Sequence, residues 1–214
     1  SISPRCVFHS DGVQAYLKTN NDMLVNGVDM YSLSGHKVGA PKGVGALFIS
    51  PKLNIRPFIY GGGQEGGLRS GTENVAGIAA LGVATKIYRE HHDDERAATN
   101  RALLIDGLKS IPNVKIIAEN TPNTGMITAF AALGTKAEIV QTLCAADGLI
   151  IGRGSACSSK HSGNRVLFAM GMSQKEIDGA LRIGLAPETT TQEITRSIEI
   201  IRNNVEKLRG GRIG

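Results

Sequence analysis

The segment YSLSGHKVGAPKGVGAL, Tyr31–Leu47, decides how the chain is interpreted, because polar groups follow directly on an apolar, strand-like run. Ser34, His36 and Lys37 stand together at the end of that run, before several glycines and a proline. Hydroxyl and imidazole groups are donors that suit phosphate, and glycine lets the backbone approach a ligand closely. A desolvated lysine becomes an amine nucleophile. A surface turn with a solvated Lys37 fits the same residues, so both interpretations stay open.

The order of predicted elements indicates a mixed α/β chain, in which a small α+β domain accompanies part of a larger α/β domain. We place the domains at residues 1–88 and 89–214. After Glu73 a helical pattern follows, which Thr72 or Asn74 caps. Its apolar positions form a stripe that we expect to be buried, comprising Val75, Ile78, Ala79, Leu81, Val83 and Ile87. Predicted strands cover 6–9, 29–34, 44–50, 55–60, 113–119, 126–133, 149–152 and 181–185, and later helices cover 136–148, 164–170 and 191–209.

Composition excludes several classes of protein. The net charge is +5, but lysines and arginines are interspersed with acids, and no basic tract with interleaved aromatic residues predicts direct nucleic-acid binding. No apolar run approaches the roughly 20 residues of a membrane span. The three cysteines are odd in number and lack zinc-ligand spacing, so we expect free thiols and a cytoplasmic protein. The adjacent His91 and His92 point in different directions on a helix, and we predict no metal site.

Asp11 and Gln14, in the segment DGVQ, follow the first predicted strand. An isolated aspartate at this place is most simply a cap for the next turn. A second polar cluster, however, ends the next predicted strand, and strand ends at one edge of an α/β sheet converge on a ligand crevice. We therefore expect Asp11 and Lys37 to face one ligand.

Cys157 lies in GRGSACSSK, among glycines and serines. A lone cysteine is more often a buried, inert thiol. Here the polar surroundings and the nearby Arg153 and Lys160 favour a reactive thiolate. We assign Cys144 and Cys6, which lie in helical and strand patterns, to core packing.

Four segments in this order, FHSDGVQA, SLSGHKVGAPKGVGALF, GGGQEGGLRSGTENVAGIAAL and GSACSS, resemble the cysteine desulfurase group, NifS/IscS-like, of class V, fold-type I pyridoxal 5'-phosphate (PLP) enzymes. The resemblance covers nearly the whole chain. It implies an α/β fold, with the C-terminal half of the large PLP-binding domain, mainly parallel sheet with helices, and a small α+β C-terminal domain. It also implies that the chain is the C-terminal part of a longer protein.

The resemblance assigns the cofactor contacts residue by residue. It implies that Lys37 links covalently to PLP and later moves protons, and that Asp11 pairs with the pyridinium nitrogen, which keeps the ring an electron sink. Gln14 would donate to the phenolic oxygen of PLP. Ser34 and His36 would hold its phosphate.

Three further roles follow from the resemblance. Thr72 would reach the phosphate of a neighbouring subunit, which requires a homodimer. Cys157 would be the catalytic nucleophile. Arg182 would grip the substrate carboxylate, and a guanidinium suits a carboxylate bidentately. Residues 184–190 depart from the family pattern, which puts the rigidity of the loop after Arg182 in doubt.

The implied activity removes sulfur from L-cysteine, giving L-alanine and a persulfide on Cys157. An iron–sulfur scaffold or a tRNA-thiolation protein would accept that sulfur. Two alternatives stay open: another class V enzyme, either an aminotransferase or a selenocysteine lyase, and a non-catalytic binding or dimerisation module. The residues leave undecided whether these 214 residues bind PLP alone.

Overall fold

The computed structural model describes residues 6–19, 27–154 and 163–210. The chain forms two compact units, Ser1–His92 and Asp93–Gly214, called unit 1 and unit 2 below. Each unit has its own β-sheet.

The sheet of unit 1 contains β1 (His9–Asp11), β2 (Met30–Ser34) and β3 (Gly45–Ile49) in that order. Strands β1 and β2 are parallel, whereas β3 runs antiparallel to β2. The expectation of a mainly parallel sheet is therefore met by only one of these two pairs. Residues 35–44 are fewer than the dozen or so that a parallel crossover needs, so the chain turns straight back.

A tight loop follows β2 and begins with the 3-10 turn Gly35–Lys37. The amide of Gly35 donates to the carbonyl of Val44 at 2.9 Å. A Cβ at residue 35 would lie 2.9 Å from Val44 Cγ1 and 3.0 Å from the Ala40 side chain, so the loop closes only over glycine. This closure fixes Lys37 immediately beyond the end of β2.

The predicted strand at 55–60 is wrong. Ile59 forms only an isolated bridge with Arg69, and no strand is present between residues 50 and 74. Pro57 has no amide hydrogen to donate to a ladder, and a glycine-rich loop follows it.

Helix α1 (Val75–His91) begins where the sequence predicts, and the side chain of Asn74 accepts the amide of Gly77 at 3.0 Å. The prediction of a buried stripe is wrong. Val75 is 70% exposed and Val83 58% exposed, and Ile78 and Ile87 are also exposed. Periodicity identified the helix, but a different face packs on the rest of unit 1. Gly77, Ala84 and Tyr88 are its buried residues, and Ala84 packs with Ala40 and Val44, with Leu81 partly buried beside them.

The single helical pattern after Glu73 becomes two helices. Helix α1 ends at His91, and α2 (Asp94–Lys109) begins after Asp93, whose side chain accepts the amide of Arg96 at 3.0 Å. An N-cap inside a continuous pattern therefore marks the boundary between the units.

Unit 2 has a four-stranded sheet in the order β4-β5-β7-β6, in which every pair is antiparallel. Phe130 and Leu181 are cross-strand partners and are buried with residues from α2 and α6. The strands are β4 (Val114–Ile117), β5 (Ile127–Ala132), β6 (Gly152–Arg153) and β7 (Ala180–Gly184). The remaining helices are α3 (Ala137–Ala146), α4 (Gly163–Ala169), α5 (Gln174–Asp178) and α6 (Thr191–Gly210).

Over the described ranges, no helix has the length and apolar character needed to cross a membrane. The same ranges contain no group of three or more His, Cys, Asp or Glu side chains placed to hold a metal ion.

Arg209, near the end of α6, binds this helix to the rest of unit 2 through hydrogen bonds. Its guanidinium donates to the carbonyls of Leu133 (2.8 Å), Asn113 (3.2 Å) and Pro112. We expect Arg209→Met to lower the free energy of unfolding by about 1–3 kcal/mol, because those carbonyls lose charged donors. Urea denaturation measures this change. Arg196→Met is the matched control on the same helix, because its ion pair with Glu199 is exposed and should contribute under about 0.5 kcal/mol. Equal effects of the two substitutions would contradict the prediction.

Helix α5 has an acid-sensitive N-terminus. Glu176 accepts from Lys115 and from the backbone and hydroxyl of Ser173, and these donors lower the pKa of Glu176 to about 2. A lowered carboxyl pKa stabilises the fold above the pKa of the unfolded chain, about 4.3, and that contribution is lost as the pH falls toward 2. We expect the stability difference between wild type and Glu176→Gln to shrink over this pH range in chemical denaturation. A difference that stays constant from pH 7 to pH 3 would refute this expectation; Glu199→Gln is the exposed control.

Candidate functional site

The parallel pairing of β1 and β2 brings two predicted site segments to one edge of the sheet. The register aligns Asp11 with Ser32, and Ser34 follows two residues later on the same strand face. Both strands therefore end at the same edge, as the strand-end argument requires.

Ser34 and His36 form a polar pair at this edge. Ser34 Oγ and His36 Nδ1 are 2.8 Å apart, and the two side chains flank the start of the 3-10 turn. Ser34 is half-buried and His36 is exposed. Their mutual hydrogen bond uses one hydrogen, so with a neutral imidazole the pair offers an anion one donor, which is the Ser34 hydroxyl or the His36 Nε2–H according to the tautomer.

Lys37 ends the 3-10 turn and is half-buried. Its ammonium group makes no hydrogen bond and no ion pair with any residue of 6–19, 27–154 or 163–210. Most protein lysines of this kind would gain a carboxylate partner or full solvation. Among the described residues, none occupies the amine of Lys37, as a ligand-binding role requires.

Asp11 is the last residue of β1, and Gln14 lies on the turn that follows. Asp11 Oδ1 accepts the amide of Val13 at 3.0 Å, which orients the carboxylate. Gln14 Oε1 accepts from Lys18 Nζ at 3.3 Å. Because the carbonyl end of the amide is engaged, its NH₂ group is left to donate to a ligand.

Sequence reasoning missed Lys18. Burial lowers the pKa of Lys18, and the positive charge of Lys37 lowers it further, so the two amines are electrostatic neighbours. The i, i+4 spacing from Gln14 on a turn of helical type was the signal available in the sequence.

His9 was also missed. His9 Nε2 and Ser32 Oγ are 2.8 Å apart across the β1–β2 pair, and His9 lies on the same strand face as Asp11. Its position two residues before Asp11 was the signal. The contact ties β1 to β2 beside the candidate carboxylate.

Thr72 lies in the loop between Ser70 and the N-cap of α1 and is exposed. Gln64 Oε1 accepts the amide of Gly71 at 3.1 Å and so shapes this loop. Thr72 itself forms no hydrogen bond within the described parts of the chain.

Arg182 lies in unit 2, at the middle of β7, with Ala129 and Gly152 as its cross-strand partners. It is half-buried, and none of the described acids pairs with it. A Cβ at residue 152 would lie 2.7 Å from Arg182 Nε, so Gly152 leaves the space that this side chain occupies. An arginine placed in a strand without an acid is suited to an external anion.

The cysteines differ sharply in environment. Cys144 is buried, as predicted, and burial raises the pKa of its thiol to about 11. The assignment of Cys6 to core packing is wrong: it is exposed, because β1 begins only at His9. Cys157 lies outside the described residues.

The sequence of this chain matches a known protein family. The sequence profile described as "Aminotransferase class-V" matches residues 3–196. The chain belongs to the class V aminotransferase family. Members of this family are PLP-dependent enzymes. The groups at the β1–β2 edge fit that cofactor, since they comprise a carboxylate, a hydroxyl–imidazole pair and an amine without a described partner.

Individual class V relatives agree with this assignment. Cysteine desulfurase 2 of Trichormus variabilis is 37% identical over 206 residues, covering 95% of this chain and 52% of that protein. A NifS-like protein from Rickettsia africae superimposes with a TM-score of 0.79 at 31% identity, covering 95% of this chain and 54% of the other. The structure of SspA in complex with cysteine matches with a TM-score of 0.64 at 30% identity, covering 86% and 51%. The chain spans about half the length of the relatives that it matches.

The thiol environments predict selective alkylation. At pH 7.5 we expect iodoacetamide to modify Cys6 and to spare Cys144, because the latter is buried and its raised pKa of about 11 disfavours the thiolate. Peptide mass spectrometry measures the modification of each site. Repeating the reaction in 8 M urea, where Cys144 should react, is the control. Modification of native Cys144 at the rate of Cys6 would contradict the structure.

Proposed function

We propose that this chain contributes the PLP-linked lysine, and most of the side-chain contacts to PLP, in a cysteine desulfurase. The observation that carries the proposal is the parallel register of β1 and β2, which places Asp11 and Ser34 at one sheet edge, with Lys37 following directly. The cysteine desulfurase and NifS-like relatives support the choice of reaction.

In this proposal each group at the edge has one role toward the cofactor. Asp11 holds the proton on the pyridine nitrogen, and Gln14 donates to the phenolic oxygen through its NH₂ group. Ser34 and His36 bind the phosphate. PLP, when bound through Lys37, supplies an electron sink for charge that develops on the substrate. Lys37 Nζ, released when the substrate amine takes its place, would take and return the substrate α-proton.

Unit 2 supplies the groups that act on the amino acid. Arg182 binds and orients the carboxylate of L-cysteine. The thiolate of Cys157 attacks the substrate sulfur; the new S–S bond forms as the carbon–sulfur bond breaks, and its electron pair stays on the carbon. Protonation of that carbon completes L-alanine and leaves a persulfide on Cys157. A sulfur acceptor, either an iron–sulfur scaffold or a tRNA-thiolation protein, then receives the sulfur.

The remaining assignments belong to the same proposal. Unit 1 represents part of the large PLP-binding domain, and unit 2 represents the small C-terminal domain. Thr72 reaches the phosphate in the partner subunit of a homodimer, for which its exposed loop position is suitable. The protein acts in the cytoplasm.

Borohydride trapping tests the cofactor site. We expect PLP followed by borohydride to label Lys37 in the complete protein, as mapped by peptide mass spectrometry. Lys37→Ala should lose the label because the amine that forms the bond to PLP is gone. Lys42→Ala, an exposed lysine in the following loop, is the matched control and should retain it. No adduct in the complete protein would refute the proposal and favour a non-catalytic binding or dimerisation module.

Persulfide formation tests the reaction. With L-cysteine we expect a gain of one sulfur atom on Cys157 and release of L-alanine, and both should disappear in Cys157→Ser. Cys144→Ser is the control, because that thiol is buried and its raised pKa disfavours the thiolate. A labelled Lys37 together with transamination activity that Cys157→Ser leaves unchanged would identify an aminotransferase instead. The rates of L-alanine release from L-cysteine and from L-selenocysteine, measured in parallel, distinguish a desulfurase from a selenocysteine lyase.

A further inference from the structure

Gly12 lies between the two side chains proposed to contact the PLP ring, Asp11 and Gln14, and it is buried. A Cβ at residue 12 would lie 1.8 Å from Tyr31 Cζ, 2.2 Å from the Tyr31 hydroxyl oxygen and 2.3 Å from Tyr31 Cε1. No real Cβ tolerates such distances, so the ring of Tyr31 occupies the place where any other residue at position 12 would have its first side-chain atom.

Tyr31 reaches this place from the face of the sheet opposite to Asp11. The register pairs Asp11 with Ser32, so these two residues share one face, and Tyr31 points to the other. Tyr31 is only 4% exposed, which means that its ring is held by its surroundings. The ring thus supports the turn after β1 from beneath, while Asp11 projects above it.

The backbone of Gly12 organises this turn. Its amide donates to the carbonyl of Ser32 at 2.9 Å, and its carbonyl accepts from the amides of Ala15 (2.9 Å) and Tyr16 (2.8 Å). The hydroxyl of Tyr31 donates to the same carbonyl at 3.4 Å. A displacement of Gly12 therefore moves the start of the turn that carries Gln14 and the end of the strand that carries Asp11.

We propose that Tyr31 and Gly12 form a size-matched pair, in which the Tyr31 ring is a positioning group that sets how Asp11 and Gln14 face PLP. The pair itself is inferred from the close contact between Gly12 and Tyr31. Its effect on PLP binding rests on the proposed function. We assign the effect mainly to the ring, because its Cζ atom is the nearest to the Cβ position at 1.8 Å, with the hydroxyl oxygen at 2.2 Å and Cε1 at 2.3 Å.

Four variants of the complete protein test the pair, with PLP affinity measured by titration of the bound-cofactor absorbance. Gly12→Ala forces the ring away, and we expect affinity to fall about tenfold or more, because overpacking a close-packed position shifts the backbone that carries both ring contacts. The double variant Gly12→Ala/Tyr31→Leu should recover to within about threefold of wild type, because leucine lacks the overlapping ring atoms. Tyr31→Phe keeps the ring and should stay within about twofold. Gly82→Ala, at an exposed position of α1 with open space around it, is the control for a glycine-to-alanine change.

Amide hydrogen exchange at Val13–Tyr16 gives a second measurement that does not depend on PLP. Exchange should accelerate in Gly12→Ala and return toward the wild-type rate in the double variant. Failure of the double variant to recover, in exchange and in affinity, would overturn the size-matched pair. If Gly12→Ala does not fold, recovery of a folded double variant with normal exchange supports the pair by itself. Absence of PLP binding in wild type, with the exchange pattern intact, would instead overturn the proposed function.

Discussion

The pairing of two short parallel strands is the constraint on which the candidate site depends. With Asp11 opposite Ser32, the turn that carries Gln14 and the loop that carries Lys37 both leave the sheet at one edge. A register shift by one residue would turn Asp11 to the opposite face. Side-chain contacts reinforce the register on both faces: His9 binds Ser32 on one, and the Tyr31 ring packs beneath Gly12 on the other.

Three candidate cations, two in unit 1 and one in unit 2, have no acidic partner among the described residues. Lys18 and Lys37 are electrostatic neighbours, and neither has a carboxylate partner within the described residues. In unit 2, Arg182 likewise has no acid beside it. Each of these cations is suited to an anionic ligand, and a phosphate and a carboxylate are the two anions that the proposed reaction supplies. Burial has the opposite effect on Cys144, whose raised pKa keeps that thiol protonated.

The predictions that failed share one physical cause. Local pattern identified α1 and its cap at Asn74, but the stripe of Val75, Ile78, Val83 and Ile87 is exposed, since the periodicity of a helix does not say which face meets a partner. The segment expected to be a strand at 55–60 has apolar residues but pairs only through the isolated bridge between Ile59 and Arg69. Whether a segment is buried or paired depends on which residues lie beside it in space. This chain spans about half the length of its relatives, and its described residues leave part of its apolar surface uncovered.

The sequence by itself determined the chemistry available to this protein. The order of four segments, among them those that contain Asp11, Ser34 and Lys37, indicated the class V family, and the resemblance to that family in turn implied which groups would contact PLP and substrate. Only the tertiary structure decided which groups support them. The overlap of Tyr31 with the missing Cβ of Gly12, and the contacts of His9 and Lys18, join residues through strand pairing and a turn. Such contacts depend on distances of a few tenths of an ångström, which residue types and spacing do not specify.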